Sequence, residues 1–222
     1  MHRSSQYRMR WFFINYLAPK VNKDSKIKIL DVGSYNVNGT YKDLLELNYF
    51  DYTGIDMEEG PNVDMVVKPY DWSNIETDSY DVVICGQVLE HAEFFWVTMS
   101  EMTRVLKKGG LLCVIVPNEI VEHRFPVDCY RFYTDGMVAL ARYVGLDILH
   151  AHTNCYPKDE SKGDWCYCTK DLIGTTAGLI DSMLIASKPY EGKTKLVDLN
   201  SYECFPLDHN KLRGNLIQAE VV

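Results

Sequence analysis

The chain has 222 residues, of which 46% are hydrophobic, enough to bury one core without requiring a second domain. The formal net charge is -8, with 31 acidic and 23 basic residues. Since there is no basic surplus to neutralise phosphates, long nucleic acid is an unlikely partner.

The cysteines and the apolar runs bear on location. Seven cysteines are odd in number and scattered along the chain, so they do not outline a disulfide framework. No run approaches the ~20 apolar residues that a membrane span needs. These features predict a cytoplasmic protein with reduced thiols.

Residues 1–26 are predicted to form an N-terminal helix that packs on or caps the main domain. Apolar or aromatic residues recur at positions 7, 11, 14 and 17, a helical spacing, and Ser4 or Ser5 is the candidate N-cap.

Residues 27–188 alternate between strand and helix patterns and are predicted to form one domain. Strands are expected at 27–32, 52–55, 63–67, 80–85, 111–116, 146–151 and 182–187. Helices are expected at about 40–47, 93–106 and 134–145. This order predicts an α/β fold with a Rossmann-like, seven-stranded, mostly parallel, doubly wound sheet and helices on both faces.

The last two predicted strands lack a crossover helix, so the last strand is expected to be antiparallel. Residues 153–180 would then form an insertion between these two strands, and residues 189–222 read as a polar C-terminal tail.

The stretch "ILDVGSYNVNG", residues 29–39, is the turn after the first strand, the usual ligand position in such sheets. It lacks the second glycine of the dinucleotide pattern G-x-G-x-x-G, because Tyr35 stands there and would block a pyrophosphate. Asp56 ends the second strand, where an acid commonly binds ribose hydroxyls, and Asp31 places a carboxylate under the turn. A nucleoside without pyrophosphate is favoured, and S-adenosylmethionine has the required parts.

From about Ile27 to Lys188 the chain resembles the class I S-adenosylmethionine-dependent methyltransferases of the small type 11 kind. The resemblance rests on an ordered set of motifs: "LDVGSYNVNG", "GIDMEEGPNVD", "PYDW", "YDVVICGQVLEH" and "LKKGGLLCVIVP".

The resemblance implies roles for residues at both ends of the cofactor. Gly33 and Ser34 would lie along the methionine moiety, and the backbone of Gly86 and Gln87 would contact its amino group. The chain departs from the family pattern at Tyr35, where a glycine is expected.

At the nucleoside end, the resemblance implies that Asp56 holds the ribose hydroxyls and that Met57 lies beside the adenine. Asp71 would accept from the adenine amino group, and Trp72 would flank the ring. Each of these residues has a structural alternative, such as turn formation or core packing.

Two histidines are candidate general bases for the transfer. His91 follows the fourth strand, and His123 lies in "PNEIVEHRFPVDCYRFYTDG", residues 117–136, a loop suited to substrate recognition. As alternatives, His91 could bond to a backbone carbonyl, and Arg131 could pair with Asp128 or Asp135.

No metal site is predicted. "QVLEH" resembles an E-x-x-E-H stretch that holds a cation in some quinone-pathway relatives, but Gln87 replaces the first carboxylate. The spacing of His150, His152, Cys155, Cys166 and Cys168 does not give the usual paired C-x-x-C of zinc sites.

The sequence therefore predicts an S-adenosylmethionine-dependent methyltransferase acting on an oxygen or nitrogen of a small molecule or biosynthetic intermediate. A non-catalytic, cofactor-binding regulatory module is the alternative, and a nicotinamide dehydrogenase is disfavoured by Tyr35.

Overall fold

A computed structural model of the chain describes residues 3–22, 25–45, 48–119, 121–153 and 181–190, and the backbone alone at 155–159 and 164–167. Its three α-helices are α1 (Arg3–Phe12), α2 (Phe95–Val105) and α3 (Thr134–Tyr143). Its strands are β1 (Ile27–Val32), β2 (Phe50–Asp56), β3 (Met65–Val66), β4 (Tyr80–Gly86), β5 (Leu106–Pro117), β6 (Asp147–Thr153), β7 (Cys155–Asp159), β8 (Asp164–Tyr167) and β9 (Asp181–Ser187).

Seven strands form the central sheet in the order β3-β2-β1-β4-β5-β9-β6. The first five are parallel, whereas β9 runs antiparallel to both β5 and β6. The predicted mixed sheet with an antiparallel last strand is therefore confirmed. The apolar runs of β4 and β5 are buried because helices cover both faces of the sheet.

One face of the sheet carries α2 and α3. Met99 and Met102 of α2 and Leu140 of α3 join a large apolar cluster with side chains from β1, β4 and β5.

The opposite face carries α1, which continues through a π-helical segment, Phe13–Leu17, and a 3-10 turn, Ala18–Lys20. Met9, Phe12 and Leu17 are fully buried in a second cluster, against residues of the central strands such as Val82 and Ile84. The N-terminal helix is thus one of the layers that bury the sheet.

The segment between β1 and β2 differs from the prediction. The expected amphipathic helix is reduced to a 3-10 turn, Tyr41–Leu44, in which Thr40 Oγ1 accepts from Lys42 N at 3.0 Å. The adjoining sheet face is already covered by α1, so a long helix here has less apolar surface to bury. Leu47, included in the prediction, lies outside the described residues.

Two strand boundaries also differ from the prediction: β3 has two residues rather than five, and β5 begins at Leu106 directly after α2. In addition, the insertion contains a hairpin in which β7 and β8 pair antiparallel. The rest of the insertion and the tail beyond residue 190 lie outside the described residues. Within the described chain, each helix is too short or too polar to cross a bilayer.

Candidate functional site

The candidate site lies where the strand order reverses between β1 and β4. The loops after β1, β2, β4 and β5 meet at the carboxyl edge of the sheet there. Gly33 opens the first loop with a φ of 76°, and a Cβ at this position would lie 2.1 Å from Val88 Cγ2. Both facts make glycine the residue this turn requires.

Asp31 lies beneath this turn, with only 2% of its surface exposed. Tyr52 of β2 donates its hydroxyl to the carboxylate at 2.6 Å. Burial raises the pKa of Asp31 to about 7, against the opposing effect of this hydrogen bond. The site thus contains a carboxyl group that titrates near neutral pH.

Asp56 at the end of β2 is held by two backbone amides. Tyr35 N donates to Oδ2 at 3.1 Å, and Met57 N donates to Oδ1 at 2.7 Å. Each carboxylate oxygen has a second lone pair, so the fixed group retains acceptor capacity for two hydroxyls. This geometry suits a ribose.

Tyr35 turns its ring towards the loop after β2. A Cβ at Gly60 would lie 2.1 Å from Tyr35 Cε2, so the ring rests on the bare Gly60 backbone. Tyr35 is not among the residues with positive φ, and the backbone at this position therefore does not require glycine. The departure from the family pattern is accommodated by Gly60.

Ser34 is tied to Asn62, a residue that the sequence did not single out. Ser34 Oγ donates to Asn62 O at 3.0 Å, and Asn62 Nδ2 donates to Ser34 O at 2.9 Å. The same amide also lies 2.7 Å from the Tyr52 hydroxyl. Asn62 thereby links the loops after β1 and β2.

The predicted adenine neighbours differ in exposure. Met57 and Asp71 are exposed, and a hydrogen bond from Ser73 lowers the pKa of the Asp71 carboxyl. Trp72 is only 3% exposed and belongs to the core cluster. A contact between Trp72 and adenine therefore depends on the small exposed part of its indole.

Gly86 and Gln87 form a tight corner at the end of β4. A Cβ at Gly86 would lie 1.9 Å from the Tyr41 hydroxyl, and Gln87 has a φ of 60°, strained for a residue with a side chain. Gln87 N already donates to Ile115 O at 2.8 Å, and its Nε2 donates to Asp181 Oδ1 at 2.9 Å. Gln87 Oε1 has no hydrogen-bond partner among the described residues, so it and the backbone carbonyls are the acceptors available to an ammonium group here.

Asp181 is the centre of a buried polar network that sequence reasoning missed. Its carboxylate accepts from Ser4 Oγ and from Gln87, and Arg8 Nη1 lies 3.7 Å away. α1 supplies Ser4 and Arg8, and both are buried. The N-terminal helix thus contributes polar groups directly behind the β4 corner.

The structure brings the two candidate bases together. The rings of His91 and His123 lie 5.0 Å apart and nearly perpendicular. His91 Nδ1 is 2.5 Å from Val127 O, which confirms the carbonyl contact considered as an alternative, and burial lowers the pKa of His91.

Glu90, next to His91, is fully buried. Neither of its carboxylate oxygens has a hydrogen-bond partner among the described residues, and burial raises its pKa to about 8. The sequence places Glu90 in the "QVLEH" stretch but does not reveal its burial.

The loop that carries His123 is braced by an ion pair. Arg131 donates to both carboxylate oxygens of Asp128 at 2.5 and 2.7 Å, and His123 N donates to Asp128 Oδ2 at 2.7 Å. These hydrogen bonds hold the pKa of Asp128 well below its ordinary value, with Arg131 the main cause. The predicted alternative pairing of Arg131 with Asp128 is therefore present.

The two histidines weighed and discounted as zinc ligands lie in β6, where His152 is buried and His150 is half-buried. His150 Nε2 lies 2.6 Å from His152 Nδ1, and the His150 ring packs against Trp11 of α1. The side chains of Cys155, Cys166 and Cys168 lie outside the described residues.

Comparison with known proteins identifies the family. Residues 1–162 match the family described as "Methyltransferase domain". The chain belongs to this family. The match confirms the predicted class I methyltransferase and its cofactor, S-adenosylmethionine. No curated protein matches the methyltransferase by sequence.

Solved structures share the fold of this methyltransferase at low sequence identity. One is a Burkholderia thailandensis 1,6-didemethyltoxoflavin-N1-methyltransferase with 1,6-didemethyltoxoflavin and S-adenosylhomocysteine bound (TM-score 0.57, 13% identity, covering 84% of this chain and 80% of that one). Another is a SAM-dependent methyltransferase from Archaeoglobus fulgidus (TM-score 0.56, 14% identity, 83% and 95%). A third is the [4+2]-cyclase SpnF (TM-score 0.56, 17% identity, 83% and 81%).

Proposed function

We propose that the protein transfers a methyl group from S-adenosylmethionine to an oxygen or nitrogen of a small molecule or biosynthetic intermediate. The observation that carries this proposal is the position of Asp56, fixed by two backbone amides opposite the Gly33 turn. The nucleoside and the amino acid end of the cofactor would lie between these two elements.

Different residues of the chain would contact different parts of the cofactor. Asp56 would accept from both ribose hydroxyls, and Met57 and Asp71 would contact the adenine together with the exposed part of Trp72. Gly33 lets the backbone approach the methionine end, and Ser34 holds that turn through Asn62. The carbonyls of Gly86 and Gln87 would accept from the amino group.

Asp31 completes the cofactor end of the site. Its buried carboxylate lies under the Gly33 turn and would attract the positively charged end of the cofactor. Tyr35, packed on Gly60, would close the ribose side of the cleft.

The acceptor would enter from the side of His91 and His123. The cofactor supplies an electrophilic methyl group on a sulfonium. Positioning the acceptor in line with that methyl provides much of the rate, and a neutral histidine can take the acceptor's proton. The exposed loop around His123 gives these side chains access to a small molecule.

The experiment is calorimetric titration of S-adenosylmethionine and S-adenosylhomocysteine into the wild-type chain and Asp56→Ala. We expect Asp56→Ala to weaken binding at least tenfold, since two charge-assisted hydrogen bonds to ribose are lost. Asp51→Ala is the matched control, because Asp51 is exposed on the same strand and should leave affinity unchanged. Equal affinity in wild type and Asp56→Ala would reject this pocket.

Turnover is a separate question, because a cyclase and methyltransferases share this fold. Incubation with methyl-labelled cofactor and a pool of small molecules should move label into a product. If the cofactor binds but no label is transferred to any acceptor in the pool, the regulatory-module alternative is favoured.

A further inference from the structure

We propose that Glu90, His91 and His123 bind a divalent transition-metal ion on the acceptor side of the site. One potential ligand atom from each residue lies within 4.8 Å of the other two. The role of the ion in catalysis rests on the proposed methyl transfer, whereas its binding does not.

The histidine tautomers favour metal binding. Because carbonyl and carboxylate oxygens only accept, His91 Nδ1 must carry the proton that it donates to Val127 O at 2.5 Å. His123 Nδ1 faces Val121 O at 3.2 Å and Asp128 Oδ2 at 3.5 Å, and must likewise carry a proton. In a neutral imidazole this leaves Nε2 with a free lone pair on both rings. Such contacts on the far nitrogen are typical of metal-binding histidines.

Glu90 supplies a carboxyl ligand, which would lose its proton as the ion binds. Its side chain is fully buried, and both carboxylate oxygens lack a hydrogen-bond partner among the described residues. His91 Nε2 is 3.7 Å from Glu90 Oε1, so the carboxylate faces the histidine lone pair. A buried carboxylate without hydrogen bonds is unfavourable, and a cation between these atoms would satisfy it.

This cluster differs from the motif considered in the sequence. Gln87, which replaces the first carboxylate of that motif, turns its amide to Asp181 at 2.9 Å and takes no part. The third ligand comes instead from His123, 32 residues after His91 and in a different loop. The sequence does not reveal this cluster, because His91 and His123 are far apart in the chain and come together only in the fold.

The donor set indicates the class of ion. Two imidazoles and one carboxylate suit zinc, iron(II) or cobalt(II), whereas magnesium and calcium prefer oxygen ligands. Three protein ligands leave positions for other groups, as in catalytic rather than structural sites. The ion would act as a Lewis acid towards an acceptor hydroxyl.

The resulting step is balanced. The acceptor hydroxyl loses its proton to solvent, and its oxygen forms the new bond to the methyl carbon. The bond from that carbon to sulfur breaks and leaves its electron pair on sulfur, giving neutral S-adenosylhomocysteine. With the ion bound, the histidine Nε2 lone pairs are occupied, so the proton goes to solvent and not to a histidine base as in the metal-free mechanism given above.

The test is direct metal binding by the full chain. Protein freed of metal by chelation is titrated with cobalt(II) and with zinc(II) by calorimetry, and the cobalt absorption spectrum is recorded. We expect one equivalent of either ion and a cobalt spectrum that includes nitrogen ligation. His91→Ala and His123→Ala should each weaken metal affinity at least tenfold. Even the loss of a residue that only hydrogen-bonds to a metal ligand typically has an effect of about this size.

Two control variants lie in the same loop. Glu122→Gln and Arg124→Ala alter an exposed ion pair next to His123 and should leave metal affinity unchanged. Glu90→Gln removes the carboxylate ligand with little change in shape and should also weaken metal affinity. Failure to bind either ion, or equal affinity in both histidine variants and wild type, would overturn the metal site.

Cofactor titration of the metal-free protein separates this inference from the proposed function. Cofactor binding without metal binding would overturn the metal site and leave the methyltransferase proposal intact. Metal binding that depends on the histidines, without cofactor binding, would support the site and count against the proposed function.

Discussion

The Tyr52 hydroxyl donates to the Asp31 carboxylate across 2.6 Å, from one strand to its neighbour at the edge of the cofactor cleft. This single donor only partly offsets the burial of the carboxylate, whose pKa is raised to about 7. Asp31 is therefore a group that costs stability when it ionises.

Asp31→Asn should stabilise the fold, and more so as the pH rises. A folded pKa of about 7 exceeds the unfolded value near 4, so the stability of the wild type is fully present below pH 4 and falls as the pH rises through 7. Asparagine does not titrate and can still accept from Tyr52. In thermal unfolding, the melting temperature of Asp31→Asn should exceed that of the wild type by several °C more at pH 8 than at pH 5. A difference between the two proteins that stays constant across this range would contradict the assignment.

Gly33→Ala should destabilise the protein by roughly 1–3 kcal/mol. Alanine is disfavoured at a φ of 76°, and its Cβ would meet Val88 Cγ2. Gly136→Ala is the matched control, because a Cβ there meets nothing within 4 Å and lies in α3. That helical substitution should stabilise by about 0.5–1 kcal/mol. Urea unfolding of both variants measures the contrast, and equal losses would contradict it.

Phe12→Ala should cost about 3–5 kcal/mol of unfolding free energy. Phe12 is fully buried between α1 and the sheet, whereas its neighbour Ile14 is 55% exposed. Ile14→Ala should therefore change stability by less than about 0.5 kcal/mol. Chemical unfolding distinguishes the two variants. If Phe12→Ala left the free energy of unfolding unchanged, the packing of α1 on the sheet would not contribute to stability.

Acid should weaken the contact between α1 and the sheet through His150. Burial lowers the pKa of His150 to about 4, below the unfolded value near 6.5. The unfolded state therefore binds more protons between these values, and the stability contributed by the neutral histidine is lost as the pH falls from 6.5 towards 4.

His150→Gln removes this titration and keeps a side chain that can donate to or accept from His152. Its melting temperature should fall less steeply than that of the wild type between pH 7 and pH 5. Parallel slopes for the two proteins would exclude His150 as the source of acid sensitivity.

The parts of the fold that were predictable are those whose signal is local. The run Val82–Cys85 is apolar throughout, as a strand covered on both faces must be, and Asp31, Gly33 and Asp56 follow from strand ends. The helix expected after β1 was wrong, because α1 covers that face and the sequence does not reveal which segment packs where.

The unpredicted parts of the site depend on distant partners. Asp181 meets Gln87, 94 positions away, and Ser4, 177 positions away. Asn62 reaches Ser34 across 28 positions, with a φ of 70°, a left-handed conformation that asparagine adopts more readily than most residues. Composition and periodicity carry no information on contacts between residues so distant in sequence. These contacts are visible only in the folded structure.

The bond between Ser4 and Asp181 also has a consequence for synthesis on the ribosome. Ser4 of α1 is made 177 residues before Asp181, its polar partner in β9. Since β9 also inserts between β5 and β6, the sheet remains incomplete until that point. The apolar side of α1 is therefore not fully covered until most of the chain has been made. During this time the exposed apolar surface of the nascent protein needs protection from aggregation.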